Sequence, residues 1–186
     1  IIKISKSSEF FSSVTEADGL YQPVFSVRGL PGAVYEITAA EDIITPDGTR
    51  RASAGEVVDT VTTDEDGTAK SKELYLGKYN VVETKAPTGM VINKEKHLVE
   101  LTYAGQDVAV TETATSFVNE RQKVKISLEK ILEQDEIFGI GKNNEIKNIS
   151  FGLYAKEDVV SSSGTVILAD GLIEIITLDE NEAATA

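Results

Sequence analysis

A strand-like segment near the middle of the chain carries one glutamate among apolar residues. Successive side chains on a strand point to opposite faces, so Tyr79, Val81 and Glu83 should share one face. A carboxylate in line with a tyrosine and a valine is either a strand-edge residue, paired with Lys85, or a buried acid with a chemical role. Glu83 is therefore the first candidate for a functional residue.

A lysine and an asparagine occupy comparable positions on two other strand-like segments. Lys6 follows two isoleucines at alternate positions at the start of the chain, and Asn119 follows Phe117 in the same way. Lys3 has the opposite parity and is expected to face solvent. An amine and a carboxamide thus accompany the carboxyl group, although Asn119 is also readable as an ordinary residue at a strand end.

The composition excludes several classes of function. The 186 residues carry a net charge of −13 and include no cysteine. Nucleic acids and anionic membranes attract clustered lysine and arginine, so neither is an expected partner. A single histidine, His97, without cysteine supports no zinc site. The acidic segment 64–67 lacks the spacing of an EF-hand and predicts a hairpin turn instead. No cofactor and no metal are expected.

The ends of the sequence resemble neither a natural start nor a natural end. The chain begins at Ile1 without a signal peptide, and it contains no apolar run long enough to span a bilayer. We therefore expect a segment of a longer protein, with no direct membrane insertion in this segment.

Frequent turn signals separate short β-rich runs, which predicts an all-β sandwich. No stretch of ten or more residues has a sustained helical period. The predicted strands are Tyr35 to Ala39, Glu56 to Thr63, Tyr79 to Glu83, His97 to Tyr103 and Val108 to Val118.

An internal repeat indicates two units of the same kind. The segment Tyr35 to Ile43 resembles Phe151 to Val159, and glycines recur at matching offsets beyond both. The second copy stops where the first continues into the Glu83 strand. The sequence therefore predicts a complete domain over 1–122 and the N-terminal part of a second, truncated domain over 123–186. Lys130 matches Lys6 in this second unit, but the strands that would carry its glutamate and asparagine are absent, so any reaction of Lys6 is not expected at Lys130.

Three motifs resemble those of a known family. Gly32 to Ile37 reads GAVYEI and is similar to a GAxFxL strand, and Gly77 to Met90 reads GKYNVVETKAPTGM and is similar to the E-box GxYxxxExxAPxGY. Phe117 to Arg121 resembles the closing xxNxx strand. The family is the Cna B-type, or SpaA-like, prealbumin-fold domain of Gram-positive adhesins and pilins. Met90 in place of an aromatic residue and a longer segment from Ser7 to Leu30 depart from its pattern.

The resemblance implies an immunoglobulin-like (prealbumin/transthyretin-like) β-sandwich with a self-formed Lys–Asn isopeptide bond. By position, Lys6 and Asn119 would be cross-linked, and Glu83 would be the isopeptide-forming acid/base. The chemistry of the residues agrees with this, since burial disfavours the charged form of the lysine and allows its neutral amine to attack the carboxamide.

The expected function is a structural stalk segment of a Gram-positive cell-surface adhesin or pilin-like protein, and not an enzyme with turnover. Its partners would be tandem copies of the domain in one chain, and its location extracellular and anchored to the cell wall. The alternative is a ligand-binding adhesin module that recognises a host protein or glycan through exposed loops, such as Ser7 to Leu30 or Asp47 to Gly55.

Overall fold

The computed structural model describes residues 1–131, 135–139, 149–178 and, for the backbone, 183–185. Within these ranges the chain is all-β, as predicted, and contains no helix, so no helix there has the length and apolarity to cross a membrane. The strands are β1 (Ile2–Ala17), β2 (Leu20–Gly29), β3 (Val34–Ala39), β4 (Ile43–Ile44), β5 (Arg50–Ala52), β6 (Val57–Thr62), β7 (Thr68–Lys70), β8 (Gly77–Lys85), β9 (Lys96–Leu101), β10 (Thr113–Asn119), β11 (Ser127–Glu129), β12 (Ser150–Tyr154), β13 (Val159–Val160), β14 (Val166–Ile167), β15 (Leu172–Thr177) and β16 (Ala183–Thr185).

The chain forms two compact units. The first contains Ile1–Phe10 and Val27–Gln122, and the second contains Phe11–Ser26 and Lys123–Ala186. These units differ from the predicted domains because residues 11–26 belong with the second. The predicted division at 122/123 stays a prediction.

The first unit has two sets of strands around one apolar core. An antiparallel sheet has the order β6-β3-β8-β9, and β1 pairs with β10 in parallel and with β7 antiparallel. Isoleucines of β1, Phe117 of β10, and tyrosines and valines of β3 and β8 form a single buried cluster. Every second residue of β8 from Tyr79 to Glu83 is buried, which is the alternation expected of a half-buried strand.

The prediction of an exposed loop from Ser7 to Leu30 is wrong, because β1 and β2 form a long hairpin there. The turn between them contains Asp18 and Gly19, with φ of 53° and 78°. Two consecutive residues with positive φ match a two-residue hairpin turn, for which Asp-Gly is a favoured sequence. The predicted strand at 108–118 also starts later, at Thr113.

The two repeated segments form hairpins with the same hydrogen bonds. In the β4–β5 hairpin, the amide of Thr45 donates to the carbonyl of Thr49 at 2.9 Å, and in the β13–β14 hairpin Ser161 donates to Thr165 at 2.8 Å. Both turns contain a glycine with positive φ, Gly48 at 81° and Gly164 at 84°. The sequence likeness thus corresponds to a likeness of local structure.

The turn before β7 holds the backbone of Lys6. Gly67 accepts a hydrogen bond from the amide of Lys6 at 2.7 Å, and the Lys6 carbonyl accepts one from Leu30 at 2.9 Å. The position of Lys6 therefore depends on a close approach of backbones at Gly67.

The acidic segment 64–67 forms part of a turn. The Asp64 carboxylate accepts from the amide of Thr68 at 2.8 Å, as in a hairpin turn. Among the described residues, no group of three or more histidine or acidic side chains could hold a metal ion.

We expect Gly67→Ala to destabilise the first unit more than the control Gly48→Ala. Both residues have positive φ, but a Cβ at Gly67 would lie 2.4 Å from the Lys6 carbonyl oxygen, whereas a Cβ at Gly48 would meet nothing within 4 Å. The extra loss in the free energy of unfolding should be about 1–3 kcal/mol, as for other overpacked sites. Urea unfolding of both variants measures it, and equal losses would contradict the close approach.

Candidate functional site

Three strands bring Lys6, Glu83 and Asn119 together in the interior of the first unit. Lys6 lies on β1, Glu83 on β8 and Asn119 at the end of β10, and each residue is 2% exposed. The three are called the buried triad below. They meet because each follows inward-facing core residues on its own strand, and because β1 and β10 pair in parallel with Lys6 opposite Phe117.

Hydrogen bonds connect all three members of the buried triad. Lys6 Nζ lies 3.2 Å from Glu83 Oε2, and Asn119 Nδ2 donates to Glu83 Oε1 at 2.9 Å. Lys6 Nζ also donates to Asn119 Oδ1. The amine therefore lies against the carbonyl side of the carboxamide, while the carboxyl group of Glu83 contacts both the amine and the amide nitrogen.

Aromatic rings surround the amine of Lys6. Nζ lies 5.9 Å from the ring centroid of Tyr35 and 5.5 Å from that of Phe117, and these two rings pack at 4.9 Å. His97, at the start of a predicted strand, stacks on Phe117 with ring centroids 3.9 Å apart. The Tyr35 hydroxyl is buried and has no hydrogen-bond partner among the described residues. Apart from its contacts with Glu83 and Asn119, the amine is therefore surrounded by aromatic rings and buried from solvent.

Burial changes the protonation of the site. Desolvation lowers the pKa of Lys6, and the nearby charge and hydrogen bond of Glu83 oppose this shift. Desolvation, with a smaller contribution from Glu83, raises the pKa of the Tyr35 hydroxyl and keeps it neutral. The lowered pKa makes the neutral amine of Lys6 more accessible than that of a free lysine, and a neutral amine in contact with a carboxamide can act as a nucleophile.

Two residues that contact the buried triad were missed by the sequence reasoning. Ser8 donates to the backbone carbonyl of Asn119 at 2.7 Å and lies 3.2 Å from the sulfur of Met90. The backbone amide of Asn93 donates to Glu83 Oε2 at 2.7 Å. Ser8 has the same parity as Lys6, so continuing the alternation would have found it. Asn93 lies outside any strand, and no local pattern indicates its contact.

The other two lysines of the sequence analysis lie elsewhere. Lys3 is 42% exposed and pairs with Glu112 at 2.5 Å, as its parity predicts. Lys130 directly follows β11 in the second unit and is half-buried. The absence of a reaction at Lys130 stays a prediction.

The fold and its motifs define a class of protein, the all-β domains with a prealbumin-like fold. Residues 26–116 match the family model for SpaA, described as a prealbumin-like fold domain. This part of the chain is similar to that family, as the resemblance implied. The matched segment contains Glu83, whereas Lys6 precedes it and Asn119 follows it. The sequence has no match among curated proteins.

The solved structures that resemble the chain include surface and pilus proteins of Gram-positive bacteria. The Bacillus anthracis TIE protein shares 22% identity with a TM-score of 0.48 over 100% of this chain and 25% of its own. The major pilin SpaD of Corynebacterium diphtheriae shares 20% identity with a TM-score of 0.40 over 85% of this chain and 38% of its own. The major pilin subunit BcpA of Bacillus cereus shares 17% identity with a TM-score of 0.38 over 99% and 51%. The chain thus spans between a quarter and a half of these proteins.

The lowered pKa of Lys6 predicts a pH dependence in a variant with a free amine. In Asn119→Ala, the unfolded lysine binds a proton up to about pH 10.5, and the folded one releases it at lower pH. Between the folded-state pKa and the unfolded-state pKa of Lys6, the unfolded state therefore binds more protons, so the free energy of unfolding rises with pH in this range. The destabilisation that results from burying a charged amine has its full value at pH below the folded-state pKa. It disappears as the pH approaches the unfolded-state pKa.

We expect the free energy of unfolding of Asn119→Ala to rise with alkaline pH relative to the matched control Asn119→Ala/Lys6→Met. Urea unfolding across a pH series measures the difference, in which the titration of all other groups cancels. A difference that is constant with pH would contradict the depressed lysine pKa.

Proposed function

We propose that this chain is a structural stalk segment of a Gram-positive cell-surface adhesin or pilin-like protein, stabilised by a self-formed isopeptide bond between Lys6 and Asn119. The observation that carries the proposal is the buried triad. An amine, a carboxamide and a carboxyl group are in mutual contact inside an apolar core. Such a group is costly to bury unless it reacts or is fully paired.

The first step of the proposed reaction is a proton transfer within the buried triad. The Lys6 ammonium gives a proton to the Glu83 carboxylate, 3.2 Å away. The product is a neutral amine beside a carboxylic acid, and desolvation favours the neutral form of the amine. Glu83 acts here as the general base.

In the second step, the Lys6 amine attacks Cγ of Asn119. A bond forms between Nζ and Cγ, and the attacking nitrogen gives a proton to the Glu83 carboxylate once Glu83 has protonated Nδ2. Glu83 gives its proton to Nδ2, with which it already shares a hydrogen bond of 2.9 Å. The Cγ–Nδ2 bond breaks and ammonia leaves, so that one amide replaces another and one ammonia is released. The fold makes this reaction intramolecular, and proximity supplies most of its rate.

The bond would close a large covalent loop. Lys6 and Asn119 are separated by 113 positions in sequence. By the loop-entropy argument used for disulfides, such a cross-link stabilises by about 5 kcal/mol, although the mechanism is model-dependent. A chain without cysteine would thereby have a covalent substitute for disulfides.

The strand arrangement favours a mechanical role for this loop. Because β1 and β10 run parallel, a pull on the start of β1 and the end of β10 loads their hydrogen bonds in shear. A bond between these two strands would carry the tension past the rest of the first unit. The likeness of the hairpins in the two units supports a series of tandem domains, and we place the protein outside the cell, anchored to the wall.

A groove in the first unit favours a second candidate function, a ligand-binding adhesin module for a host protein or glycan. Tyr75 and Tyr103 line it and are 49% and 68% exposed. The guanidinium of Arg51, in the segment Asp47 to Gly55, lies 5.0 Å from the Tyr75 ring centroid. Exposed aromatic side chains are a feature of binding surfaces. This candidate does not explain the buried triad, so we rank it second.

Intact-mass spectrometry tests the bond directly. We expect the mass of the folded protein to be one ammonia below the mass calculated from its sequence. The variants Lys6→Ala, Asn119→Ala and Glu83→Ala should each have the full mass calculated from their sequences. Glu83→Ala should still fold, because the apolar core remains while proton transfer is lost. Lys3→Ala is the matched control and should keep the ammonia loss. A full mass for the unmodified protein, with no cross-linked peptide after digestion, would refute the proposal.

Single-molecule pulling separates the stalk from the binding module. With the bond in place, pulling the first unit from both ends should release very little length, since nearly all of it lies inside the loop. Lys6→Ala cannot form the bond, so its first unit should extend on unfolding by about 3.3–3.6 Å for each residue released. Nearly full extension of the unmodified unit would argue against the mechanical role and favour the ligand-binding candidate.

A further inference from the structure

One contact of the buried triad comes from outside the three strands. Glu83 Oε1 accepts from the Asn119 carboxamide, and its other oxygen, Oε2, accepts from the backbone amide of Asn93 at 2.7 Å. Among the described residues, this is the backbone amide that donates a hydrogen bond to the Glu83 carboxyl group. Lys6 Nζ lies 3.2 Å from the same oxygen, so Oε2 has two partners, and the Asn93 amide is the one that takes no part in the proposed reaction and can hold the carboxyl group throughout it.

The side chain of Asn93 holds this amide in place from both sides. Its Nδ2 donates to the carbonyl of Val118 on β10 at 3.2 Å, and its Oδ1 accepts from the amide of Glu95 at 2.9 Å. The second bond closes an Asx-type turn, in which an asparagine caps the backbone two residues on. One side chain thus ties the segment to β10 and sets its local conformation.

The segment around Asn93 is fastened to the end of β10 at further points. The amide of Val91 donates to the carbonyl of Glu120 at 2.9 Å, and the amide of Gln122 donates to Gly89 at 2.9 Å. Met90 and Arg121 form an isolated β-bridge. The residue that precedes these contacts is Asn119, so the segment is aligned with the reacting carboxamide and with the acid together.

We propose that Asn93 is a positioning residue for the cross-linking reaction, which orients the Glu83 carboxyl group through its backbone amide. The inference rests on the proposed function, since it assigns a role within that reaction. With Oε2 held by Asn93 on the side of Lys6 Nζ, Oε1 stays in contact with Nδ2, so one carboxyl group contacts both the nitrogen that loses a proton and the nitrogen that gains one. A carboxyl group that is free to rotate would present this geometry for a smaller fraction of the time.

The rate of ammonia loss in newly made protein tests this role. The full chain is produced by cell-free synthesis, translation is stopped, and aliquots are taken over time for intact mass and for resistance to protease as a measure of folding. Asn93→Ala removes both side-chain anchors, Asn93→Asp keeps the acceptor for Glu95, and Lys94→Ala is the control at the exposed neighbouring position.

We expect folded Asn93→Ala to cross-link about 10- to 100-fold more slowly than Lys94→Ala, as for a catalytic group displaced by a fraction of a bond length. Asn93→Asp should fall between them, because half of the anchoring remains. A purely structural role would instead reduce the folded fraction and leave the rate within that fraction unchanged.

The outcomes separate this inference from the proposed function. If the unmodified chain and Lys94→Ala never lose ammonia, the cross-link itself is refuted and the role of Asn93 with it. If they react and folded Asn93→Ala reacts equally fast, only the positioning role is overturned. If Asn93→Ala does not fold, Asn93→Asp decides by the same comparison. Failure of both variants to fold would make Asn93 a structural residue and also overturn the inference.

Discussion

The burial of a lysine amine is the constraint on which the first unit depends. An ammonium group in an apolar core is costly unless it is paired, and its pairing with Glu83 at 3.2 Å is itself a buried ion pair of doubtful net benefit. Desolvation by burial lowers the lysine pKa from its ordinary value, and the aromatic rings of Tyr35 and Phe117 line the site. A core that only had to be stable would use an apolar side chain here. The arrangement is explained if the charge is removed by reaction.

The rest of the unit is built so that this amine has one position. Backbone hydrogen bonds from Gly67 and Leu30 hold β1 on both sides of Lys6, and the approach is so close that only glycine fits at position 67. Tyr35 lies opposite Glu83 in the pairing of β3 with β8, so the strand that supplies the acid is aligned with the strand that supplies the aromatic wall. Turn chemistry, sheet register and the reacting groups are thus parts of one arrangement.

Turn signals between short β-rich runs were sufficient to predict the all-β fold, and strand parity selected residues that meet in the core. Alternation needs only local sequence, and the inward position of Glu83 after Tyr79 and Val81 follows from it directly. The hairpin of β1 and β2 was not predicted, because its Asp18-Gly19 turn lies within a weakly alternating stretch of sequence. The contact of Asn93 could not be predicted, since it comes from the backbone of an irregular segment. Its direction depends on tertiary packing with β10 and on no pattern in the sequence.

The register of β1 against β10 links the reaction to folding. Lys6 lies opposite Phe117, so the amine must reach diagonally to Asn119, two residues further along the same face. A slip of one residue would turn the asparagine to the other face of the sheet, and a slip of two would move it by about 6.6 Å along the strand. The isoleucines of β1 and Phe117 of β10 prevent both slips, because either would remove apolar side chains from the core. In the proposed reaction, the bond therefore forms only in a correctly folded unit, and it preserves a register that the apolar core has already selected.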